Sequence, residues 1–270
     1  MASRQSASSS PVPSDRAPGC VSIEGLEVHF ESRAGATQVL AETSLRLEAG
    51  TFTALIGPSG CGKSTILNAV AGFLAPTSGA VLIDGEAVNG SDPRVGIIFQ
   101  QYALFPWLTA LGNVKFALKR FGLSKAEMDE RARMYLAEVG LSRASDKYPG
   151  QMSGGMKQRV AIARTLAGSP MVLLMDEPFG ALDAQTRLSM HELLLRIWEN
   201  HHATVLFVTH DVDEALLLAD VVHVMAANPG RIVKTCPVAA SRPRSVSRFD
   251  AQTLRLREEL IELLKLEIIV

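Results

Sequence analysis

The segment that most constrains the fold is a glycine-rich loop at residues 57–64, which has the sequence GPSGCGKS. It matches the pattern G-x-x-x-x-G-K-[ST], which cradles phosphate groups when it connects a strand to a helix. Both neighbours are predicted here, because residues 52–56 are a short apolar run and residues 63–72 have a helical pattern. A chance match is the alternative, and the flanking strand and helix argue against it. The chain is therefore predicted to contain an α/β sheet with a phosphate-binding loop.

Each residue type in this loop has a physical reason. Glycines let backbone N–H groups converge on phosphate oxygens, and the positive end of the helix dipole adds to the attraction. Lys63 is predicted to contact the β- and γ-phosphates of a nucleotide, and Ser64 to be a ligand of Mg²⁺. Cys61 is either a small tolerated residue or a redox-sensitive thiol, since a helix N-terminus lowers the pKa of a thiol. The predicted phosphate-binding residues are Gly57, Pro58, Ser59, Gly60, Cys61, Gly62, Lys63, Ser64 and Thr65.

A second apolar run ends in two carboxylates. Residues 171–175 predict a central strand, and Asp176 and Glu177 follow it directly. Ligands bind at the carboxyl ends of the strands in such sheets, so both carboxylates are expected beside the phosphate-binding loop. Asp176 is suited to hold Mg²⁺, and Glu177 to orient or deprotonate an attacking water. An ordinary acidic loop is the alternative interpretation.

Strands and helices are predicted to alternate along most of the chain, which is typical of an α/β domain with a largely parallel sheet. A helical pattern over about residues 101–168 predicts an inserted helical lobe. The spacing from Ser124 to Glu127, and again from Asp211 to Glu214, predicts a capping box at a helix start. The predicted strands are residues 21–30, 44–48, 52–56, 80–83, 95–99, 171–175, 204–208, 221–225 and 231–234.

The two ends of the chain differ from the rest. Residues 1–20 are rich in serine and proline and are predicted to form a disordered tail, with a transit peptide as the alternative. Residues 237–270 are predicted to be a C-terminal extension that ends in an amphipathic helix packed on its own domain. Arg242, Arg244 and Arg248 are predicted to lie in a solvated tail, with contact to lipid headgroups as the alternative. The apolar positions of the helix are Leu254, Leu260, Ile261, Leu264 and Ile268.

Composition narrows the function classes. The 270 residues include 27 Lys+Arg and 28 Asp+Glu, which gives a net charge of −1. This balance lacks the basic excess typical of nucleic-acid binding, so no nucleic-acid partner is expected. No run of about 20 apolar residues occurs, so no membrane span is predicted. The three cysteines are scattered without metal-ligand spacing and indicate a reducing compartment.

Several further segments resemble the ATP-binding subunits of ABC transporters. Residues 153–158, SGGMKQ, resemble the signature motif of that family and precede the two carboxylates, as the family requires. Gln100 resembles its glutamine loop, residues 180–183 (GALD) the loop that crosses the dimer interface, and His210 the switch histidine. Phe30 falls where the family stacks an aromatic ring on adenine.

Two residues depart from the usual signature motif. Met152 stands where the family has leucine, and Met156 where it has glutamine. Ser153, Gly154 and Gly155 are kept, and a hydroxyl with two bare glycines at a helix N-terminus forms a second anion site. Activity is therefore expected to survive, with Met156 packing in the core.

The resemblance implies a P-loop ATPase core over residues 21–236. Its fold would be α/β, with a mostly parallel sheet, an antiparallel β subdomain and an inserted helical subdomain. ATP and Mg²⁺ are the implied cofactors, and Glu177, His210 and Lys63 the implied catalytic residues. Two copies would pair head to tail, so that the signature motif of one acts on the nucleotide of the other. The further nucleotide-binding residues that the resemblance implies are Phe30, Gln100, Ser153, Gly154, Gly155 and Asp183, and the implied Mg²⁺ ligands are Ser64, Gln100 and Asp176.

Residues 100–109 and 176–183 resemble the importer branch that serves nitrate, sulfonate and taurine. This implies uptake of a small anionic or zwitterionic solute through a separate permease, at the cytoplasmic face of the inner (plasma) membrane. A periplasmic solute-binding protein would be an indirect partner, and thiamine precursors also remain open as cargo. Trp107 is predicted either to dock the permease or to pack inside the helical lobe. The alternative functions are a soluble ABC ATPase outside transport and a non-catalytic nucleotide-binding regulator.

Overall fold

A computed structural model describes residues 19–32 and 35–269, so most of the predicted N-terminal tail, up to residue 18, lies outside the described residues. In chain order the strands are β1 (Val21–Ser32), β2 (Gly35–Leu47), β3 (Phe52–Ile56), β4 (Ser78–Ile83), β5 (Glu86–Ala87), β6 (Val95–Ile98), β7 (Val172–Asp176), β8 (Thr204–Val208), β9 (Val221–Ala226) and β10 (Arg231–Pro237). The α-helices are α1 (Lys63–Val70), α2 (Ala110–Leu118), α3 (Lys125–Glu138), α4 (Gly154–Ala167), α5 (Ala184–His201), α6 (Val212–Leu218) and α7 (Ala251–Ile269). Within the described residues, none of the helices has the length and apolar character needed to cross a membrane.

The larger sheet has six strands in the order β10-β9-β3-β8-β7-β6 and carries the glycine-rich loop. Strands β6, β7, β8, β3 and β9 are mutually parallel, and β10 pairs antiparallel with β9. Every residue of β3 and β8 is buried, as their apolar runs predict. The loops that follow β3, β6, β7 and β8 therefore lie side by side along one edge of the sheet.

The smaller sheet is antiparallel and has the order β2-β1-β4-β5. Together the two sheets confirm the predicted fold class. Strand β2 begins at Gly35, well before the predicted start at residue 44. Residues 35–38 are exposed and lack an alternating apolar pattern, so their own sequence does not indicate a strand. They are extended because they pair with β1, where Thr37 lies opposite Phe30.

Helices α2, α3 and α4 pack against one another within the segment predicted as a helical lobe. The buried side chain of Asn113 fixes the entry to α2, because its amide group donates to carbonyl oxygens of the preceding loop and its Oδ1 accepts the Phe105 N–H at 2.9 Å. Helix α3 begins with the predicted capping box between Ser124 and Glu127. The limits of the lobe, about residues 101–168, stay a prediction.

The second predicted capping box, at the start of α6, is wrong. Asp211 does cap the helix, since its Oδ1 accepts the N–H groups of Asp213 and Glu214 at 2.8 and 3.3 Å. The Glu214 side chain, however, turns inward and accepts the Thr209 hydroxyl at 2.7 Å. The Asp211 N–H also donates to the Thr209 hydroxyl, so buried partners replace the local pair that the spacing suggested.

Two arginines anchor the C-terminal extension. Arg244 is almost fully buried, and its guanidinium donates to carbonyl oxygens at the end of α6 and after β10. Arg242 pairs with Asp220, and its guanidinium lies over the Trp198 ring at 4.4 Å. The prediction that these two arginines lie in a solvated tail is wrong, and so is the alternative of lipid contact, because protein atoms already surround them. Arg248 is exposed.

Helix α7 packs one face on the domain, as its amphipathic pattern predicts. Leu260 is fully buried, and Ile261 and Leu264 are partly buried against the core. Leu254 is 45% exposed, so this predicted apolar position faces solvent instead. The side chain of Ile268 lies outside the described part of the chain.

Asp220→Ala is expected to lower the free energy of unfolding by about 2 kcal/mol. The Asp220 carboxylate accepts the Phe52 N–H at 2.9 Å and pairs with Arg242. Its loss therefore leaves a backbone N–H of β3 and a mostly buried arginine each without one partner. Urea unfolding measures the change. Glu48→Ala is the control, because its pair with Arg46 is exposed and should contribute less than about 0.5 kcal/mol. An unchanged urea midpoint in Asp220→Ala would contradict the anchoring.

Candidate active site

The glycine-rich loop leads from β3 into the N-terminus of α1. Gly62 caps this helix with a φ of 95°, in the region that favours glycine. Gly57 is required by a close approach, since a Cβ there would lie 2.6 Å from the carbonyl oxygen of Met225 on β9. These two glycines therefore have a backbone requirement in addition to the phosphate-binding one.

Lys63 places a positive charge at the centre of the loop. Its side chain is buried, and its ammonium donates to the carbonyl oxygens of Gly57 and Pro58 at 2.9 and 2.8 Å. Cys61 is also fully buried, and burial raises the pKa of its thiol. This contradicts the lowered pKa on which the redox-sensitive alternative depended. The loop thus presents an ammonium group, and not a thiolate, to an incoming phosphate.

Ser64 and Asp176 form an oxygen pair between the first turn of α1 and the end of β7. The Ser64 hydroxyl donates to the Asp176 carboxylate at 3.3 Å, and burial raises the pKa of Asp176. Among the described residues, no group of three or more His, Cys, Asp or Glu side chains is placed to hold a metal ion. A hydroxyl and one carboxylate fit Mg²⁺, which takes one or two protein carboxylates together with phosphate oxygens of a substrate.

Glu177 and His210 form a second pair at the same edge of the sheet. Glu177 has a positive φ of 42°, a strained conformation for a residue other than glycine, and its N–H donates to the Val208 carbonyl oxygen at 3.0 Å. Its Oε2 lies 3.3 Å from Nδ1 of His210. The side chains are 26% and 67% exposed, so water reaches both. A carboxylate held in this way is suited to orient a water and accept its proton.

Gln100 reaches the same place from the end of β6, the strand beside β7. A Cβ at Gly180 would lie 3.8 Å from Gln100 Nε2 and 3.9 Å from Glu177 Oε2, so these three residues adjoin. The structure thus brings together, at the carboxyl edge of the larger sheet, the side chains of Ser64, Gln100, Asp176, Glu177 and His210.

The signature motif lies in a different environment. Ser153 caps α4, and its hydroxyl accepts the N–H three residues further on at 3.3 Å. A Cβ at Gly155 would lie 2.6 Å from the Thr186 methyl group on α5, and one at Gly154 would lie 2.9 Å from the Tyr102 hydroxyl. These neighbours belong to α5 and to the loop after β6. Within one copy, therefore, Gly154 and Gly155 of the predicted anion site pack on α5 and on the loop after β6, and not on the glycine-rich loop.

Residues around the signature motif support its packing. Met152 is buried, and Met156 is partly buried against the core, which confirms the predicted role of Met156 in packing. Asp183 is exposed and caps α5 by accepting the Thr186 N–H at 3.0 Å. Hydrogen bonding from Thr186 holds the pKa of Asp183 below its usual range. The GALD loop and the signature motif therefore meet at Thr186.

Phe30 is 46% exposed, on the β1–β2 hairpin that flanks the glycine-rich loop. The hairpin contacts the glycine-rich loop through β2, because Leu40 Cδ1 would lie 3.4 Å from a Cβ at Gly62.

A second close contact to the glycine-rich loop was not predicted from the sequence. A Cβ at Gly230 would overlap the Cys61 carbonyl oxygen. In the sequence, Pro229 followed by Gly230 indicates a turn, but it does not indicate that this turn packs against the glycine-rich loop.

Helix α7 also approaches the site, which its amphipathic pattern did not reveal. Leu264 and Glu267 line a cavity of about 600 Å³ together with residues 57–59 of the loop and His210. The last turns of the C-terminal helix therefore form one wall beside the phosphate-binding loop.

A phosphate-binding loop with a buried lysine, an oxygen pair suited to Mg²⁺ and a carboxylate–imidazole pair define the chain as a P-loop nucleoside triphosphatase. Residues 40–180 match the ABC transporter family. The nitrate import ATP-binding protein of Synechocystis is 48% identical over 78% of this chain and 79% of its own length. The taurine import ATP-binding protein of Chromobacterium violaceum is 47% identical over 84% of this chain and 89% of its own.

A solved structure of an ATP-binding cassette is also similar to this chain. A dimeric ATP-binding cassette in a post-hydrolysis state, bound to ADP and Pi, has a TM-score of 0.73 and 33% identity, over 82% of this chain and 100% of that chain. The chain belongs to the ABC transporter family and is an ATP-binding subunit with ATPase activity.

Proposed function

We propose that the chain hydrolyses ATP to drive import of a small anionic or zwitterionic solute, of the sulfonate, taurine or nitrate type, through a separate permease. The observation that carries the hydrolytic step is the Glu177–His210 pair, 3.3 Å apart at the carboxyl edge of the larger sheet. The solute class is supported by relatives that are named for import of nitrate and of taurine. The alternative of an ABC ATPase outside transport has no comparable support.

In this proposal Lys63 and the loop N–H groups bind the phosphates of ATP, and the exposed ring of Phe30 stacks on adenine. Glu177 orients the attacking water and accepts its proton, while His210 holds the γ-phosphate and keeps the carboxylate in place. Mg²⁺, when bound, neutralises charge on the phosphate oxygens, and charge stabilisation provides most of the catalysis in phosphoryl transfer. The side chains that would hold it are Ser64, Gln100 and Asp176.

Two copies are proposed to pair head to tail. Ser153, Gly154 and Gly155 lie at the start of α4, where the exposed Ser153 hydroxyl and the first N–H groups of the helix are suited to hold an anion. The neighbours of Gly154 and Gly155 lie outside the phosphate-binding loop, which favours contact of this motif with the γ-phosphate held by a second copy. Asp183 lies at the same face. Such a pair is isologous and contains two equivalent sites. The dimeric state of the similar cassette supports this arrangement.

The proposed location is the cytoplasmic face of the inner (plasma) membrane, bound to permease subunits that receive solute from a periplasmic binding protein. Uptake of labelled taurine, an alkanesulfonate and nitrate by a strain lacking this chain tests the solute class. The chain should restore uptake of one of them, whereas the Glu177→Gln variant should not. Normal uptake of all three in the deletion strain would overturn the solute class. Failure to co-purify with a hydrophobic permease would overturn the role in transport.

Trp107 is expected to anchor the permease. The residue is 70% exposed, which contradicts internal packing, and it extends an aromatic cluster with Phe105 at 5.6 Å and Phe116 beyond it. Trp107→Ala should reduce solute uptake about thirtyfold, the effect of losing a hot spot of about 2 kcal/mol, while the purified subunit hydrolyses ATP normally. Met134→Ala is the control, since Met134 is 64% exposed on α3. Unchanged uptake in Trp107→Ala would exclude this docking site.

A further inference from the structure

Residues 209–211, the segment that carries His210, are held by three hydrogen bonds among Thr209, Asp211 and Glu214. The Thr209 hydroxyl donates to Glu214 Oε2 at 2.7 Å and accepts the Asp211 N–H at 3.1 Å. The Glu214 N–H in turn donates to Asp211 Oδ1 at 3.3 Å. These three bonds fix the residues on both sides of His210, whose own side chain is 67% exposed. They therefore set the direction in which the imidazole leaves the backbone.

Glu214 ties this set of bonds to α5. The residue is 6% exposed, and its Oε1 lies 3.3 Å from His191 Nε2 and 3.7 Å from Arg187 Nε. Burial raises the pKa of Glu214, but its contacts with His191, Thr209 and Arg187 together outweigh burial and hold the pKa below its usual range. A buried carboxylate that stays charged depends on every partner, because removing one leaves charge uncompensated.

We propose that Glu214 is a positioning residue for ATP hydrolysis. It links residues 209–211, which include His210, to the GALD loop, which ends at Asp183. Arg187 completes the link one turn into α5, since it donates to the Leu182 carbonyl oxygen at 3.2 Å and lies 3.8 Å from the carboxylate that caps α6. A movement of the GALD loop when two copies meet is thereby transmitted to the imidazole. This inference rests on the proposed role of His210 at the γ-phosphate.

Glu214→Gln and Thr209→Val test the link, because each keeps the size of the side chain while removing a charge or a hydroxyl. Each should lower kcat about tenfold and leave the KM for ATP within about twofold, since the phosphate-binding loop is untouched. Amide hydrogen exchange over residues 209–211 should be faster in Thr209→Val. Asp213→Asn is the matched control, because this neighbouring carboxylate pairs at the surface with Arg257 and its loss should leave kcat unchanged.

A double-mutant cycle with His210→Ala, measured by single-turnover hydrolysis, shows whether Glu214 acts through His210. If it does, Glu214→Gln should slow hydrolysis less than about twofold further in the His210→Ala background. A full tenfold loss in both backgrounds, or wild-type kcat in both Glu214→Gln and Thr209→Val, would overturn the inference alone. Normal hydrolysis by His210→Ala would overturn the proposed role of His210, and the positioning role of Glu214 with it.

Discussion

Glu177→Gln is expected to reduce steady-state ATP hydrolysis at least about a hundredfold, while the affinity for ATP stays close to that of the wild type. The amide keeps the size of the side chain but does not accept a proton from water, and a positioned general base contributes about 10²–10⁴-fold. ATP binding is preserved because Lys63 and Ser64 lie on α1, a separate element. Bound ATP should then hold two copies together, detectable as an ATP-dependent dimer by size-exclusion chromatography.

The control for this experiment is Glu192→Gln, which changes an exposed carboxylate on α5 and should leave both phosphate release and ATP binding unchanged. Wild-type turnover in Glu177→Gln would exclude Glu177 as the base. Loss of ATP binding together with hydrolysis would instead assign the 3.3 Å contact between Glu177 and His210 to holding the site together, and not to proton transfer.

Local signals were sufficient to predict the residues at the carboxyl edge of the larger sheet. The apolar runs that became β3 and β7 are buried, one followed by the glycine-rich loop and the other by the carboxylates. Each of these signals lies within a short stretch of sequence: the length of an apolar run, the spacing of glycines, or the identity of the residue that follows a strand. The contact between Ser64 and Asp176, 112 residues apart, then follows because parallel strands end at a common edge.

The features that the sequence did not reveal depend on partners far away in the chain. Arg242 has the character of a surface residue until Asp220 and Trp198 surround it in the folded protein. Glu214 has the spacing of a capping box, but the buried Thr209 hydroxyl binds its carboxylate instead. In both cases the local pattern is compatible with two outcomes. Tertiary packing decides between them, and a single sequence does not specify that packing locally.

Lys63→Met is expected to weaken ATP binding about thirtyfold and to reduce hydrolysis below about 1% of the wild-type rate. The Lys63 ammonium is nearly buried and already bonded to the carbonyl oxygens of Gly57 and Pro58, so it is held where phosphate enters the loop. Hydrogen bonds to a charged group contribute about 1.5–3 kcal/mol, which corresponds to roughly 10- to 150-fold in affinity. Methionine fills a similar volume without charge or donor. Titration with a fluorescent ATP analogue measures the affinity.

Lys125→Met, at an exposed position in the first turn of α3, is the matched control and should bind ATP normally. Because the Lys63 ammonium also joins two carbonyl oxygens of its own loop, Lys63→Met should lower the free energy of unfolding without ATP by about 1 kcal/mol. Lys63→Met thus impairs binding, whereas Glu177→Gln impairs only the chemical step. Wild-type ATP affinity in Lys63→Met would mean that backbone N–H groups and the α1 dipole bind the phosphates unaided, which would limit Lys63 to shaping the loop.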